Sequence, residues 1–239
     1  MNKATLLKAL VVILTMGVGM NAMAGLFGLG GTSWKEEVLL HDGTRIVVER
    51  WHKRGGRHEI TSGPPVKEHS ITFTLPESDK TITWRDEYSE DVGSANFGIL
   101  ALHIQNDMPY IVATPYGCLA YNKWGRPNPP YVIFKHDGNV WQRIQLAELP
   151  VEFKTINLVI GTSNNEKELD KLGLASITDI ARMNRDSRQP ELRAILREAL
   201  PEKRIIEMCG DMVLYRGHWI MRNSQPAKWR IDRLLDQQK

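Results

Sequence analysis

Residues 34–51 read WKEEVLLHDGTRIVVERW and residues 131–146 read YVIFKHDGNVWQRIQL, and each stretch turns on the same tripeptide, His41-Asp42-Gly43 in the first and His136-Asp137-Gly138 in the second. Gly43 can take the positive φ that closes a three-residue hairpin loop, so Leu40 is expected to face Thr44. That register sets Val38 opposite Ile46 and Glu36 opposite Val48 on one face, with Leu39, Arg45, Glu37 and Val47 on the other. Only the first face points to a core, and a slip by one residue would mix the two. The second stretch repeats the pattern, Val132 and Phe134 returning through Val140, with Asn139 leaving the loop at two or three residues. Two such hairpins predict a largely antiparallel β protein.

The neighbouring segments extend the pattern. Ile71, Phe73 and Leu75 alternate with Thr72 and Thr74, and Ile82 and Trp84 alternate with Thr81, Thr83 and Arg85, a further hairpin with one wet face. Ile99 to Ile104 and Tyr110 to Thr114 are almost continuously apolar, as central strands covered on both faces would be, with His103 as a core histidine. Ile156, Leu158 and Ile160 alternate as another strand. The period then changes. Asn164 to Leu172 read as a helix stopped by Gly173, and Ser176 with Asp179 forms a capping arrangement. Pro190 opens a run in which Leu192, Ile195, Leu196 and Leu200 fall at helical spacing before Pro201. This run is expected to pack on the sheet, the alternative being that Arg188, Arg193 and Arg197 dock a partner. Met212 to Tyr215 and His218 to Met221 form a hairpin about Arg216-Gly217, and Pro226 opens a terminal helix carrying Ile231, Leu234 and Leu235. The expected fold is mainly β (α+β): an antiparallel hairpin meander forming a sandwich or a barrel, with a helical insert near residues 164–200 and a short C-terminal helix.

The start of the chain reads as an export signal. Lys3 and Lys8 precede twelve apolar residues from Ala9 to Met20, and Ala22-Met23-Ala24 supplies the small-x-small pattern for cleavage after Ala24. The expected organisation is a signal peptide over residues 1–24 and a single β-rich domain over 25–239. Gly17, Gly19 and Asn21 interrupt the apolar run, so no stable membrane span is expected after cleavage. Without those 24 residues, 29 Lys and Arg face 28 Asp and Glu, a balance that implies no nucleic-acid partner. Cys118 and Cys209 are the two cysteines, and an even pair in an oxidising compartment favours one disulfide. A free or intermolecular pair is the alternative.

Two stretches attract functional readings. Arg50 to His58 is the one concentrated basic patch, read as a solvated loop offset by Glu49, Glu59 and Glu68, or as a phosphate-binding patch. Tyr116 to Tyr131 scatters aromatics among Pro127, Pro129 and Pro130, with Pro115 just before it, and is expected to be an ordered loop, since regular strands cannot run through such proline density. Its Tyr116, Tyr121, Lys123, Trp124, Arg126 and Tyr131 are the candidate ligand or partner-binding residues, through rings that stack on sugars or form a protein-binding patch. The alternative is that the rings lid the core.

No Gly-rich phosphate loop, nucleophile elbow, zinc-protease motif or cysteine cluster is present, so no catalytic residue, metal ligand or cofactor is assigned. Paired carboxylates from distant strands leave no local spacing, which keeps glycosidase chemistry open. His41 and Asp42 beside His136 and Asp137 are the sharpest metal arrangement, yet His-Asp-Gly is good turn chemistry by itself.

The pattern Trp34, Glu36-Glu37-Val38, Leu40, Asp42-Gly43, Ile46, Val48, followed by Pro130-Tyr131-Val132, Phe134, Asp137-Gly138, Trp141 and Arg143-Ile144, resembles that of exported proteobacterial proteins of unknown function. The likeness covers hairpin and core positions in about a fifth of the chain, and implies no site residues. The expectation is a periplasmic or secreted accessory or protein-interaction protein whose partner is another envelope protein, with carbohydrate binding through residues 116–131 as the alternative and no nucleic-acid partner.

Overall fold

Period-two patterning becomes sheet over the first half of the chain. The computed structural model describes residues 30–58 and 63–222; the segments read as signal peptide and C-terminal helix lie outside them. Strands β1 (Thr32–Leu39), β2 (Arg45–Arg54), β3 (Val66–Thr74) and β4 (Thr81–Asp86) form one antiparallel meander. Strands β5 (Phe97–Gln105), β6 (Met108–Pro115), β7 (Val132–His136) and β8 (Trp141–Ile144) form a second, in the order β5-β6-β7-β8. The register read from the first hairpin holds. Val38 pairs with Ile46 and Glu36 with Val48, and the Leu40 amide donates to the Thr44 carbonyl at 2.8 Å. Gly43 closes the loop at φ 88°, where a side chain would be strained. In the second hairpin the Asp137 amide donates to the Val140 carbonyl across a two-residue Gly138-Asn139 tip, and Val140 is exposed rather than core-facing.

Both sheets are open, and their inner faces pack as a sandwich. Val38, Val48, Ile71, Phe73, Ile82 and Trp84 from the first meet Phe97, Ile99, Leu102, Ile111, Ala113 and Val132 from the second. The outer face of β3–β4 is wet, with Thr72 and Thr83 hydroxyls 2.9 Å apart. β5 and β6 are covered on both faces, as their apolar runs require: Leu100, Ala101, Tyr110 and Val112 turn away from the sandwich toward Leu149, Phe153 and Ile195. β5 is nevertheless an edge strand, not a central one.

What closes that edge is the segment expected to be a further strand. Residues 155–160 build no ladder beyond an isolated Thr155–Ala194 bridge and bend at Leu158 and Ile160, because their backbone groups go elsewhere. The Leu158 amide donates to Leu100 O at 3.3 Å, the Val159 amide to Glu36 Oε2 at 2.9 Å, and the Ile160 amide to Asn184 Oδ1 at 2.9 Å. The buried Asn157 side chain accepts from the Leu102 amide at 3.0 Å and donates to the Leu102 and Leu39 carbonyls at 2.8 and 3.0 Å, joining the sheets.

The helical insert is shorter than expected. After α1 (Gly117–Lys123) come α2 (Thr162–Leu172), ended by Gly173 at φ 64°, and α3 (Ile177–Asn184), opened by the Ser176–Asp179 capping box. Strand β9 (Leu174–Ala175) between them adds in parallel to β1. Residues 190–200 make only a 3₁₀ turn, Pro190–Leu192, and α4 (Glu202–Met208) begins just after Pro201, which opens a helix instead of ending one. The helical spacing fails here because the amides bond across rather than along: Ile195 to Lys154 O, Leu196 to the Tyr131 hydroxyl and Leu200 to Asn128 Oδ1. Arg197 points inward, donating to the Leu149 and Phe153 carbonyls at 2.9 Å each. Hairpin β10 (Met212–Tyr215) and β11 (His218–Met221) turns on Arg216-Gly217 as read.

The basic patch is not a loop through its first half. Arg50 and His52 lie in β2 and are buried, with Arg54 partly so. Arg50 donates to Glu36 Oε1 and to Val159 O at 3.0 Å each, and Trp34 Nε1 donates to Glu36 Oε1 at 2.7 Å. Glu166 of α2 accepts from Arg54 Nε at 2.8 Å and Thr32 Oγ1 at 2.8 Å, with His52 Nε2 at 3.2 Å. Burial would raise the Glu166 carboxyl, but the bonds from Arg54, Thr32 and His52 outweigh it and hold it at about 2.

His103 is a core histidine, fully buried, its Nε2 2.9 Å from Thr155 O. Burial lowers its pKa to about 4 against a carbonyl that favours the proton. The unfolded chain takes up a proton near 6.5 that the folded protein refuses until about 4, so His103 makes stability fall as pH drops through that window. The loss is about 3 kcal/mol by pH 4. Urea denaturation at stepped pH should show this slope, and His103→Leu should flatten it whatever its constant offset.

Candidate functional site

The proline-rich stretch 116–131 begins as a helix, α1, so the expected loop occupies only its second part. Pro115 lies before α1, and Pro127, Pro129 and Pro130 lie after it, so none interrupts a helical hydrogen bond. The Asn128–Pro129 peptide is cis. A disulfide joins Cys118 of α1 to Cys209 at the end of α4, Cα atoms 5.3 Å apart.

The six candidate residues separate on folding. Tyr121 and Tyr131 are buried, 2% and 6% exposed, and are not stacking platforms. Tyr121 donates to Pro127 O at 3.1 Å beneath the Arg126 guanidinium. The Tyr131 hydroxyl lies 2.9 Å from Glu191 O and 3.0 Å from Ala194 O and accepts from the Leu196 amide, and burial pushes its pKa up to about 12. Trp124 is half-buried against Phe97, ring centroids 4.6 Å apart, with Arg143 over its other side, and so lids the end of the sandwich. Only Tyr116 stands well exposed, at 46%.

The two cations bind inward. Arg126 donates to Cys209 O at 2.9 Å, Gly210 O at 2.7 Å and Asn122 Oδ1 at 3.0 Å, while Asn122 donates to Gly210 O and accepts from the Met212 amide. Lys123 Nζ lies 2.7 Å from Asp91 Oδ1 and 2.9 Å from Ser89 Oγ, and Trp219 Nε1 of β11 donates to Asp91 Oδ2 at 3.1 Å. Burial would raise Asp91, but these donors outweigh it and lower its carboxyl below the usual range. Ser89 and Lys123 are at nucleophile–base distance, yet an ammonium paired to a carboxylate donates and cannot take the serine proton, and Ser89 Oγ also bonds Asn96 Oδ1. Asn96 in turn meets Asp86, whose Oδ2 accepts the Asn96 and Phe97 amides at 2.7 and 2.8 Å beside His69 Nε2 at 3.2 Å. These polar groups seat the β10–β11 hairpin and the β4–β5 connection.

The repeated His-Asp-Gly tips stay separate structural devices. Asp42 accepts from the Thr44 amide at 2.9 Å, and Asp137 accepts from the Asn139 and Val140 amides at 2.9 Å each. Among the described residues no group of three or more His, Cys, Asp or Glu side chains is placed to hold a metal. Sequence reasoning missed the Glu36–Arg50–Trp34 cluster, although the hairpin register had put Glu36 on the core face, where a carboxylate needs partners.

Near the disulfide three apolar side chains stand exposed, on a surface that also carries the exposed Lys203 and Glu207 of α4. Tyr116 is two residues from Cys118 and Ile206 three from Cys209, at 46% and 61% exposure, and Leu214 on β10 is 47% exposed. No helix among the described residues is long and apolar enough to cross a membrane. No protein-family model, curated protein or solved structure matches the chain.

Two measurements probe this module. Arg126→Ala leaves the Cys209 carbonyl without its donor and the Gly210 carbonyl with Asn122 alone, so β10–β11 amides should exchange with solvent about tenfold faster while β5–β6 amides are unchanged, read by hydrogen exchange. Reducing the disulfide opens a loop of 91 residues' separation and should lower stability by about 4 kcal/mol in urea.

Proposed function

We propose that this is an exported accessory protein of the bacterial envelope, periplasmic or secreted after cleavage behind Ala24, that binds another envelope protein through the face around its disulfide. The single observation that carries the reading is the division of labour in residues 116–131. Lys123, Arg126 and Asn122 face inward and seat β10–β11, and the covalently tied module turns Tyr116, Ile206 and Leu214 outward. Apolar and aromatic side chains presented on a rigid support suit a protein partner, because little conformational entropy is lost when they are covered. The disulfide supports export, since such bonds persist in oxidising compartments. A carbohydrate platform has less support: two of its four rings are interior and a third packs on Phe97.

Two tests address the two halves of the proposal. N-terminal sequencing of protein recovered from the periplasmic fraction should begin at Gly25, and full-length chain in the cytosol with Cys118 and Cys209 reactive to a thiol label would reject export. Ile206→Asp with Leu214→Asp should leave the unfolding transition within about 1 kcal/mol, both sites being exposed, and should abolish cross-linking to the envelope protein that the unaltered chain captures. An unchanged cross-link would reject this face.

A further inference from the structure

A groove of about 390 Å³ lies between α3, the β1 edge and the extended run 155–157, near the lower end of the ~300–1,000 Å³ of small-molecule sites. Its walls include Leu39, Ile156, Ile177, Ile180, Ala181 and Leu192. The two asparagines that border it are already engaged. Asn157 bonds Leu39 and Leu102, and Asn184 donates to Leu158 O at 2.8 Å and accepts from the Ile160 amide at 2.9 Å. Asn157 thereby uses both its N–H groups and Asn184 one of its two, so the amides hold the walls in place and most of the lining open to an occupant is apolar.

The charge of the groove lies at its rim. Arg185 and Arg193 border it, facing one acid, Glu37, which is drawn to Arg45 at 3.5 Å. The Arg193 guanidinium has no hydrogen-bond or ion-pair partner among the described residues, and Arg185 has only Asp186 at 3.9 Å, both largely exposed. Such an exposed pair contributes little and is easily exchanged for a better acceptor. An apolar, preformed trough lined also by two available guanidiniums is complementary to a molecule that joins an apolar body to an anionic head.

We infer that this groove binds an amphipathic anion, a single apolar chain or ring body with one carboxylate or phosphate head, the body lying over Leu39, Ile177 and Leu192 and the head between Arg185 and Arg193. The site is separate from the disulfide face and does not depend on the function proposed for it. Guanidinium pairs hold carboxylate and phosphate alike, and the choice of probes separates the two.

Calorimetric titration of the mature protein with dodecanoate, dodecyl phosphate and dodecanol, each below its micellar concentration, tests the assignment. At least one anion should bind, and dodecanol should bind at least tenfold more weakly. Arg185→Ala with Arg193→Ala should bring the anion down toward the alcohol. Ala181→Trp, at an exposed position, should fill the groove and abolish binding with the unfolding transition unchanged. Silence with all three probes, equal affinity for anion and alcohol, or full binding by the Ala181→Trp protein would overturn the inference. So would preference for an acidic hexapeptide of alternating Glu and Val, which would mark the groove as a strand-docking edge of β1.

Discussion

Glu36 is fully buried and carries a carboxylate, a group whose removal from water costs far more than any apolar contact nearby returns unless donors surround it. Three do: the Trp34 indole, the Arg50 guanidinium and the Val159 amide. Arg50 also holds the Val159 carbonyl, so both backbone polar groups of one residue are fastened to the first sheet. Residues 155–160 are thereby fixed against β1 and β2 while Asn157 and Leu158 bond β5 on the other sheet. A hydrophobic sandwich alone tolerates sliding between its sheets. This set of directional bonds gives the two sheets one register.

The helices inherit their positions from that run. Asn184, at the end of α3, accepts the Ile160 amide and donates to Leu158 O, while Glu166 of α2 takes Arg54, Thr32 and His52 from β1 and β2. Trp34, Val159, Leu169, Ala175 and Ile180 then form a small core of their own beyond the end of the sandwich. Basic side chains that a linear reading assigns to a wet surface are buried or partly buried here: Arg50 pairs with Glu36 and reaches Val159 O, and Arg54 pairs with Glu166, the last two partners more than 100 residues away in the chain. The groove beside α3 is a consequence of the same scaffold, since Asn157, which borders it, joins the sheets and Asn184 holds the run that bridges them.

The opposite end is held differently. A two-stranded hairpin such as β10–β11 is marginal by itself. Here it is tied to α1 by a covalent bond, by Arg126 and Asn122, and by Asp91, which meets both Lys123 and Trp219. Asn122, Lys123 and Arg126 turn inward to these partners, while Tyr116, Ile206 and Leu214 remain exposed. The same geometry explains why the aromatic stretch misled in part. Composition identifies rings and amides, but it does not say which side of the chain faces the core.

Local pattern by itself determined the register of the first hairpin, the wet and dry faces of β1 to β4, the Gly43 turn, the double coverage of β5 and β6, the end of α2 at Gly173 and the Ser176 cap. Each depends on side-chain alternation or on a residue's own φ preference, both of which act within a few positions. The pairing of Cys118 with Cys209 was legible because two cysteines allow one intramolecular bond. Only the tertiary structure decided that the sheets form an open sandwich, that residues 155–160 bridge rather than ladder, that 190–200 is not a helix, and that Tyr121 and Tyr131 are interior. For residues 155–160, for 190–200 and for Tyr131 the deciding hydrogen bonds come from partners dozens of residues away, Asn128 for Leu200, Glu36 for Val159 and Tyr131 for Leu196. No periodicity along the chain records such partners, because the free energy that selects them appears only when the two sheets have already met.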